Sequence, residues 1–140
     1  MRDIFELNSN DLKWLEDKFK RYNQLDREIA IRKEELKIKE PDENIGGGKP
    51  NIISKTVENQ VVKELSDPFI HQREMWKKSV KETIEEQSLE VQEMVVDKFF
   101  GENSYMDWVA LGELHNCSQA KTYRIRYKVL ETFAKKIGYI

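Results

Sequence analysis

Between Ser118 and Lys128 the chain sets donors and cations at intervals that one side of a helix can present together: Gln119, Lys121, Tyr123, Arg124, Tyr127 and Lys128. Amide and guanidinium groups near a helix start can donate to base edges, and ammonium groups farther along can hold phosphates, so duplex DNA is the ligand this set would suit. Ser118 and Thr122 complete the candidate DNA-contacting residues, Ser118 as the cap that opens the helix and Thr122 one turn further on. From Ser118 to Lys136 there are six Lys or Arg against the single acid Glu131, in a chain whose formal net charge is −2. A basic helix inside an acidic protein is a directed patch, whereas uniform basicity would imply only a general attraction to polyanions.

Such a helix needs a partner to aim it, and the preceding residues supply one. Ser104 followed by Asp107 reads as a capping-box variant opening a first helix, with Trp108, Leu111 and Leu114 as its buried stripe. Gly112 falls where two helices would cross, Asn116 at a sharp turn that needs a left-handed backbone, and Cys117 tucks inward between them. Thr122, Ile125, Val129 and Phe133 then form the inner face of the second helix. The pattern is a helix-turn-helix within residues 104–137.

At this point the chain resembles the RinA and ArpU group of bacteriophage transcriptional regulators, whose C-terminal part is similar to the promoter-reading fourth region of sigma factors. The resemblance is carried by Asp42-Glu-Asn-Ile-Gly-Gly-Gly-Lys49, the acid-rich helix from Ser88-Leu89-Glu90, Met106-Asp107-Trp108, Ser118 through Arg126, and Phe133 to Gly138. Gly112 departs from it, Ala being usual at the crossing. The resemblance implies a sequence-specific DNA-binding regulator, an activator of phage late or lysis-related genes that works in the bacterial cytoplasm and has RNA polymerase as a further partner. A DNA-packaging accessory protein of the small-terminase kind, or a helical adaptor with no DNA role, are the alternatives.

The rest of the 140 residues, 39% hydrophobic and 36% charged, supports one modest core. No apolar run approaches the ~20 residues that cross a bilayer, and one Cys excludes an internal disulfide framework, so a cytoplasmic chain with no membrane contact is expected. Only three Pro and six Gly interrupt it, which predicts an all-α fold: a long N-terminal amphipathic helix, a Gly-rich loop, and a helical bundle ending in the helix-turn-helix.

The expected divisions are an arm over 1–40, a linker over 41–53 and a DNA-binding domain over 54–140. Leu15, Tyr22, Ile29 and Leu36 repeat every seven residues, flanked by Leu12 and Phe19, and predict one helix from Asn10 to Lys39. The companion register fails at Asp26 and Lys33, so packing on the chain's own body and pairing into a homodimer both remain open. Val57, Val61, Val62 and Leu65 mark a short helix capped by Ser54 or Thr56. Asp67 and Pro68 start one that buries Phe69, Trp76, Val80 and Ile84, and Ser88 caps another that runs to Gly101. On that last helix Leu89, Val95, Val96 and Phe99 are the expected core partners of Trp108 and Ile125.

Catalytic patterns are weak, and no enzyme, cofactor or metal is expected. Gly46-Gly-Gly-Lys49 lacks the spacing and the hydroxyl of a phosphate-binding loop, Pro50 standing where the hydroxyl belongs. His71 and His115 belong to no metal-spaced cluster, and His115 reads as a partner for a helix C-terminus. Cys117 reads as packing, and the adjacent pairs Glu34-Glu35 and Glu85-Glu86 point to different sides of their helices.

Overall fold

The computed structural model describes residues 6–38 and 50–140, with side chains from 57 onward in the second stretch and to 37 in the first. The protein is all-α: seven helices, and no strand among the described residues. They are α1 (Ser9–Lys20), α2 (Tyr22–Ile38), α3 (Pro50–Ser66), α4 (Pro68–Glu85), α5 (Leu89–Phe100), α6 (Trp108–Leu114) and α7 (Gln119–Lys136). Two compact units form, one from Met1–Tyr22 with Trp76–Ile140 and one from Asn23–Met75. That division cuts across the expected arm and domain. The Gly46–Gly48 element lies outside the described residues.

The predicted single N-terminal helix is two. Asn8 caps α1 through a reciprocal box, its Oδ1 accepting from the Asp11 amide at 2.9 Å while the Asp11 carboxylate accepts from the Asn8 amide at 2.8 Å. The helix stops at Arg21, whose N–H reaches back to Lys18 and Phe19 carbonyls. The buried residues are Leu15 and Phe19 on α1 but Leu25 and Ile29 on α2. They sit four apart within each helix, the period of a globular face, and of the seven-residue set Leu15 and Ile29 are buried while Tyr22 and Leu36 are half-buried.

In the first unit α1 packs against α7 and α5, and α6 against α5 and α7. The Phe19 ring lies 4.5 Å from Phe99, 5.2 Å from Phe133 and 6.2 Å from Phe100, so this N-terminal side chain is surrounded by aromatics from the C-terminal half. Deleting α1 would open the centre of the unit. Beyond α7, Gly138 adopts φ +75° and the Tyr139 amide bonds the Ala134 carbonyl at 2.8 Å, a closing turn that favours glycine. Tyr139 then stacks on Trp14 at 5.0 Å and donates its hydroxyl to Asp11 at 2.5 Å, holding that carboxyl below its ordinary range. On α4, Trp76 and Val80 are buried as expected and Phe69 and Ile84 are half-buried; Thr83 is also buried, and its Oγ1 has no hydrogen-bond partner among the described residues.

The second unit turns on one ion pair. Asp67 caps α4, its Oδ2 accepting from the Ile70 amide at 3.1 Å, and it receives the Arg32 guanidinium in two bonds, Nε at 3.1 Å and Nη2 at 2.8 Å. Arg73 adds a contact to Glu28 at 3.4 Å while lying 3.6 Å over the Phe69 ring. α3 starts at Pro50, ahead of the Ser54 or Thr56 cap expected, and its Val57, Val61, Val62 and Leu65 are exposed.

The Arg32 guanidinium beside Asp67 and the α4 amides hold that carboxyl below its ordinary value of 3.8. A depressed folded-state value stabilises above the unfolded value and loses that stabilisation as pH falls through the folded one, so acid should loosen this unit. Asp67→Ala should cost about 2–3 kcal/mol at neutral pH and remove that part of the acid sensitivity, as read by thermal melts followed by circular dichroism at neutral and acid pH. Thr83→Val, which replaces an unsatisfied buried hydroxyl by a methyl group, should melt at the same temperature or higher, by up to about 1 kcal/mol; a loss of stability would mean that the hydroxyl has a partner.

Candidate nucleic-acid interface

α6, the turn over residues 115–118 and α7 stand in a helix-turn-helix arrangement, and their local chemistry accounts for it. Asp107, not Ser104, caps α6: its Oδ1 accepts from the Ala110 amide at 2.8 Å. Residues 101–107 form turns rather than helix, clamped by Lys98, which donates to the Met106 carbonyl at 2.6 Å, and by Asp97, which accepts from the Asn103 amide group at 2.9 Å. Ser104 therefore lies outside α6. The Asp97 carboxylate also meets His115 Nε2 at 2.9 Å, and these two contacts, Asn103 first, hold it below its ordinary range. His115 thus ties the turn to α5 in addition to lying at the end of α6.

Gly112 is where the two helices touch. A Cβ built there would lie 2.0 Å from Thr122 Oγ1 and 2.9 Å from its Cβ and Cγ2, so no larger residue fits without movement. Thr122 is fully buried and donates its hydroxyl to the Ser118 carbonyl at 2.8 Å. Asn116 has φ +61°, the left-handed turn expected, and Ser118 caps α7 by accepting from the Lys121 amide at 3.2 Å. Met94, Trp108 and Leu111 form the core beneath, with Phe99, Met106, Cys117 and Ile125 packed on it.

Three expected core residues are elsewhere. Leu114 is 55% exposed because, at 100° per residue, it leaves the arc of Trp108, Leu111 and Gly112 in the last turn of a seven-residue helix. Leu89 and Val96, 76% and 43% exposed, share the side of α5 opposite to the buried Met94 and Val95; Val95 is buried as expected, and Met94, absent from the expected set, joins it in the core.

The candidate contact residues separate into three groups. Lys121, Arg124 and Lys128 are exposed, and their side chains have no hydrogen bond or ion pair among the described residues. They fall within an arc of about 60° on the outer side of α7. Gln119 and Tyr123 are also exposed, on another side of its first turns, and Ser118 is exposed beside them. Thr122 and Tyr127 do not face outward. The first is the helix-crossing contact, and the second, half-buried, accepts from the Leu7 amide at 3.1 Å, which pins the N-terminal segment.

The remaining cations of this stretch are all paired. Arg126 donates to Glu16 of α1, with Nε–Oε1 at 2.6 Å, Lys136 to Glu86 at 2.7 Å and Glu82 at 3.5 Å, and Lys135 lies 3.6 Å from Glu131. Glu16 also accepts the Trp108 indole N–H at 3.3 Å, so one carboxylate on α1 holds both helices of the motif. Its role has no local signal, since its partners are 92 and 110 residues away. Next to Lys121 runs a groove whose lining includes Glu90, Glu93 and His115. Among the described residues no group of acids, His and Cys is arranged to hold a metal ion, and no helix is long and apolar enough to cross a membrane.

Fold and site together define an all-helical protein with a C-terminal helix-turn-helix whose second helix carries an unpaired cationic strip. The chain belongs to the DUF722 family, described as proteins of unknown function, which it matches over residues 13–135. No curated protein and no solved structure matches it.

Gly112→Ala should destabilise the first unit by about 1–3 kcal/mol, since the added methyl meets a buried side chain. Combining it with Thr122→Ala should restore part of the loss, and a double-mutant cycle on thermal melts reads the coupling directly. Strict additivity of the two changes would show that these residues do not touch.

Proposed function

We propose that this protein is a sequence-specific DNA-binding transcriptional regulator whose α7 enters the major groove. The observation that carries the reading is the division of charge along one helix. Every other cation between Ser118 and Lys136 is paired with an acid of the same protein, while Lys121, Arg124 and Lys128 remain free on one outward strip. A strip of three unpaired cations is suited to successive phosphates or to a guanine edge, for which Arg gives two parallel bonds. Ser118, Gln119 and Tyr123, exposed at the start of α7, are where a helix entering a groove end-first meets base edges. Glu90 and Glu93 border the strip on the Lys121 side and repel phosphate there, so the DNA backbone follows the Arg124 and Lys128 side.

The resemblance to the RinA and ArpU regulators supports an activator of phage late or lysis-related genes in a bacterial cytoplasm, with RNA polymerase as a further partner. The family description assigns no activity, so this part of the proposal rests on the sequence resemblance.

Fluorescence anisotropy over a range of salt concentrations, on duplexes enriched from a random pool, tests the reading. Arg124→Ala should weaken specific binding by about 1–3 kcal/mol if it reads a guanine, and Lys128→Ala should weaken all sequences alike. Each cation removed from a phosphate should lower the slope of log affinity against log salt by about 0.9. Arg126→Ala should act on stability and leave the salt slope unchanged. Undiminished binding after replacing Lys121, Arg124 and Lys128 together would overturn the assignment.

A further inference from the structure

The groove beside Lys121 is walled by α5 on one side and by the end of α6, the turn and the first turns of α7 on the other. Its volume of about 520 Å³ lies within the roughly 300–1,000 Å³ of small-molecule sites. Glu90 and Glu93 stand one helical turn apart on the α5 wall, and Lys121 belongs to the α7 wall. All three are exposed, and their side chains have no hydrogen bond or ion pair among the described residues. Asp97, the next carboxylate along the same side of α5, is by contrast engaged by Asn103 and His115. Opposite charges thus line one groove without touching, which leaves room for a molecule between them. His115, also in the lining, commits its Nε2 to Asp97, and Met94, Leu114 and Ile125 add apolar atoms.

We propose that this groove is a binding site for a free basic amino acid of the arginine or lysine kind. The assignment complements the lining charge by charge. Two carboxylates and one ammonium are matched by a ligand with two cations and one carboxylate, and an α-amino acid with a cationic side chain carries that set. Its α-ammonium and side-chain cation meet Glu90 and Glu93, its carboxylate meets Lys121, and its methylene stem lies on Met94, Leu114 and Ile125. Other small ligands leave a charge uncompensated. A diamine sets its cations beside Lys121 with nothing to offer that ammonium, an amino acid with an apolar side chain leaves one glutamate unmatched, and a polyanion is repelled by both glutamates.

The site has a consequence for α7, and this step alone rests on the DNA reading. Glu90 and Glu93 repel phosphate on the Lys121 side of the strip. A ligand of net positive charge offsets them, while Lys121, whose ammonium has three donors, keeps one for the DNA backbone. Duplex and amino acid therefore strengthen each other's binding by the same factor, as linkage requires. The groove is in that case an effector site, set against the turn that aims the helix.

The test is isothermal titration calorimetry on the full-length chain without DNA, with L-arginine and L-lysine as probes. Both should bind saturably, with dissociation constants of about 1 mM or tighter. L-Argininamide, which lacks the carboxylate, and L-norleucine, which lacks the side-chain cation, should each bind at least about tenfold more weakly. Glu90→Gln with Glu93→Gln should weaken arginine binding by more than about tenfold with far-ultraviolet circular dichroism unchanged, both positions being exposed and unpaired. Glu102→Gln, which removes an exposed acid outside the groove, should leave arginine binding as it is. Lys121→Ala should bind arginine and argininamide alike, which identifies the group that takes the carboxylate. Absence of saturable binding below about 10 mM, or arginine binding indifferent to the Glu90 and Glu93 changes, would overturn the proposal. Anisotropy on duplex DNA at matched ionic strength should show tighter binding with arginine present, and none of that gain in the Glu90→Gln, Glu93→Gln chain. A chain that takes up arginine and binds no duplex leaves this site standing and removes the DNA reading, while one that binds duplex and takes up no arginine does the reverse.

Discussion

The approach of α6 to α7 at Gly112 and Thr122 is the constraint on which the C-terminal architecture depends. With a hydroxyl 2.0 Å from where a Cβ would stand, the separation of the two helices is set by the absence of one methyl group. The turn between them must then close within residues 115–118, which forces the positive φ of Asn116 and leaves Ser118 extended as the cap of α7. Thr122, with its own hydroxyl bonded back to the Ser118 carbonyl, fills the space that an Ala at 112 would otherwise occupy. Gly at the crossing is accordingly matched by a residue on the facing helix.

That crossing is held from behind by α1. Leu15 and Phe19 enter the aromatic centre, Glu16 takes the Trp108 indole and the Arg126 guanidinium, and Tyr127 fixes the Leu7 amide. The start of the chain is therefore structural support for its end. Tyr139, closed back through Gly138 onto Trp14 and Asp11, adds a further tie to the first half of α1.

What was legible in the sequence was what the backbone decides within a few residues. Asn116 in the left-handed region, the caps at Asp67, Ser88 and Ser118, the Gly112 crossing and the inward set Thr122, Val129 and Phe133 all follow from local chemistry, and all are present. Choices between two apolar sides of one helix were not legible, because only tertiary partners decide them. On α5 the expected Val95 is buried, but it is joined by Met94, while Leu89 and Val96 on the opposite side are exposed. The seven-residue spacing of Leu15, Tyr22, Ile29 and Leu36 carried no information about the stop at Arg21. In the candidate site the exposed Lys121, Arg124 and Lys128 could be read from spacing, whereas the inward engagement of Tyr127 depends on a residue 120 positions away.

Charge links these two levels. The excess of cations counted along residues 118–136 overstates what a ligand would meet, since acids on α1, α4 and α7 itself occupy three of the six. Partly exposed pairs of this kind contribute little to stability, on the order of 0–1 kcal/mol each, so their larger effect is on the shape of the field. By neutralising Arg126 on one side of α7 and Lys135 and Lys136 at its end, Glu16, Glu131, Glu82 and Glu86 leave the positive potential concentrated on the strip of Lys121, Arg124 and Lys128. Glu16 therefore acts twice: the bond that holds α7 against α1 is also the one that keeps the flank of the helix electrically quiet, so the orientation of the motif and the direction of its field are set by the same side chain.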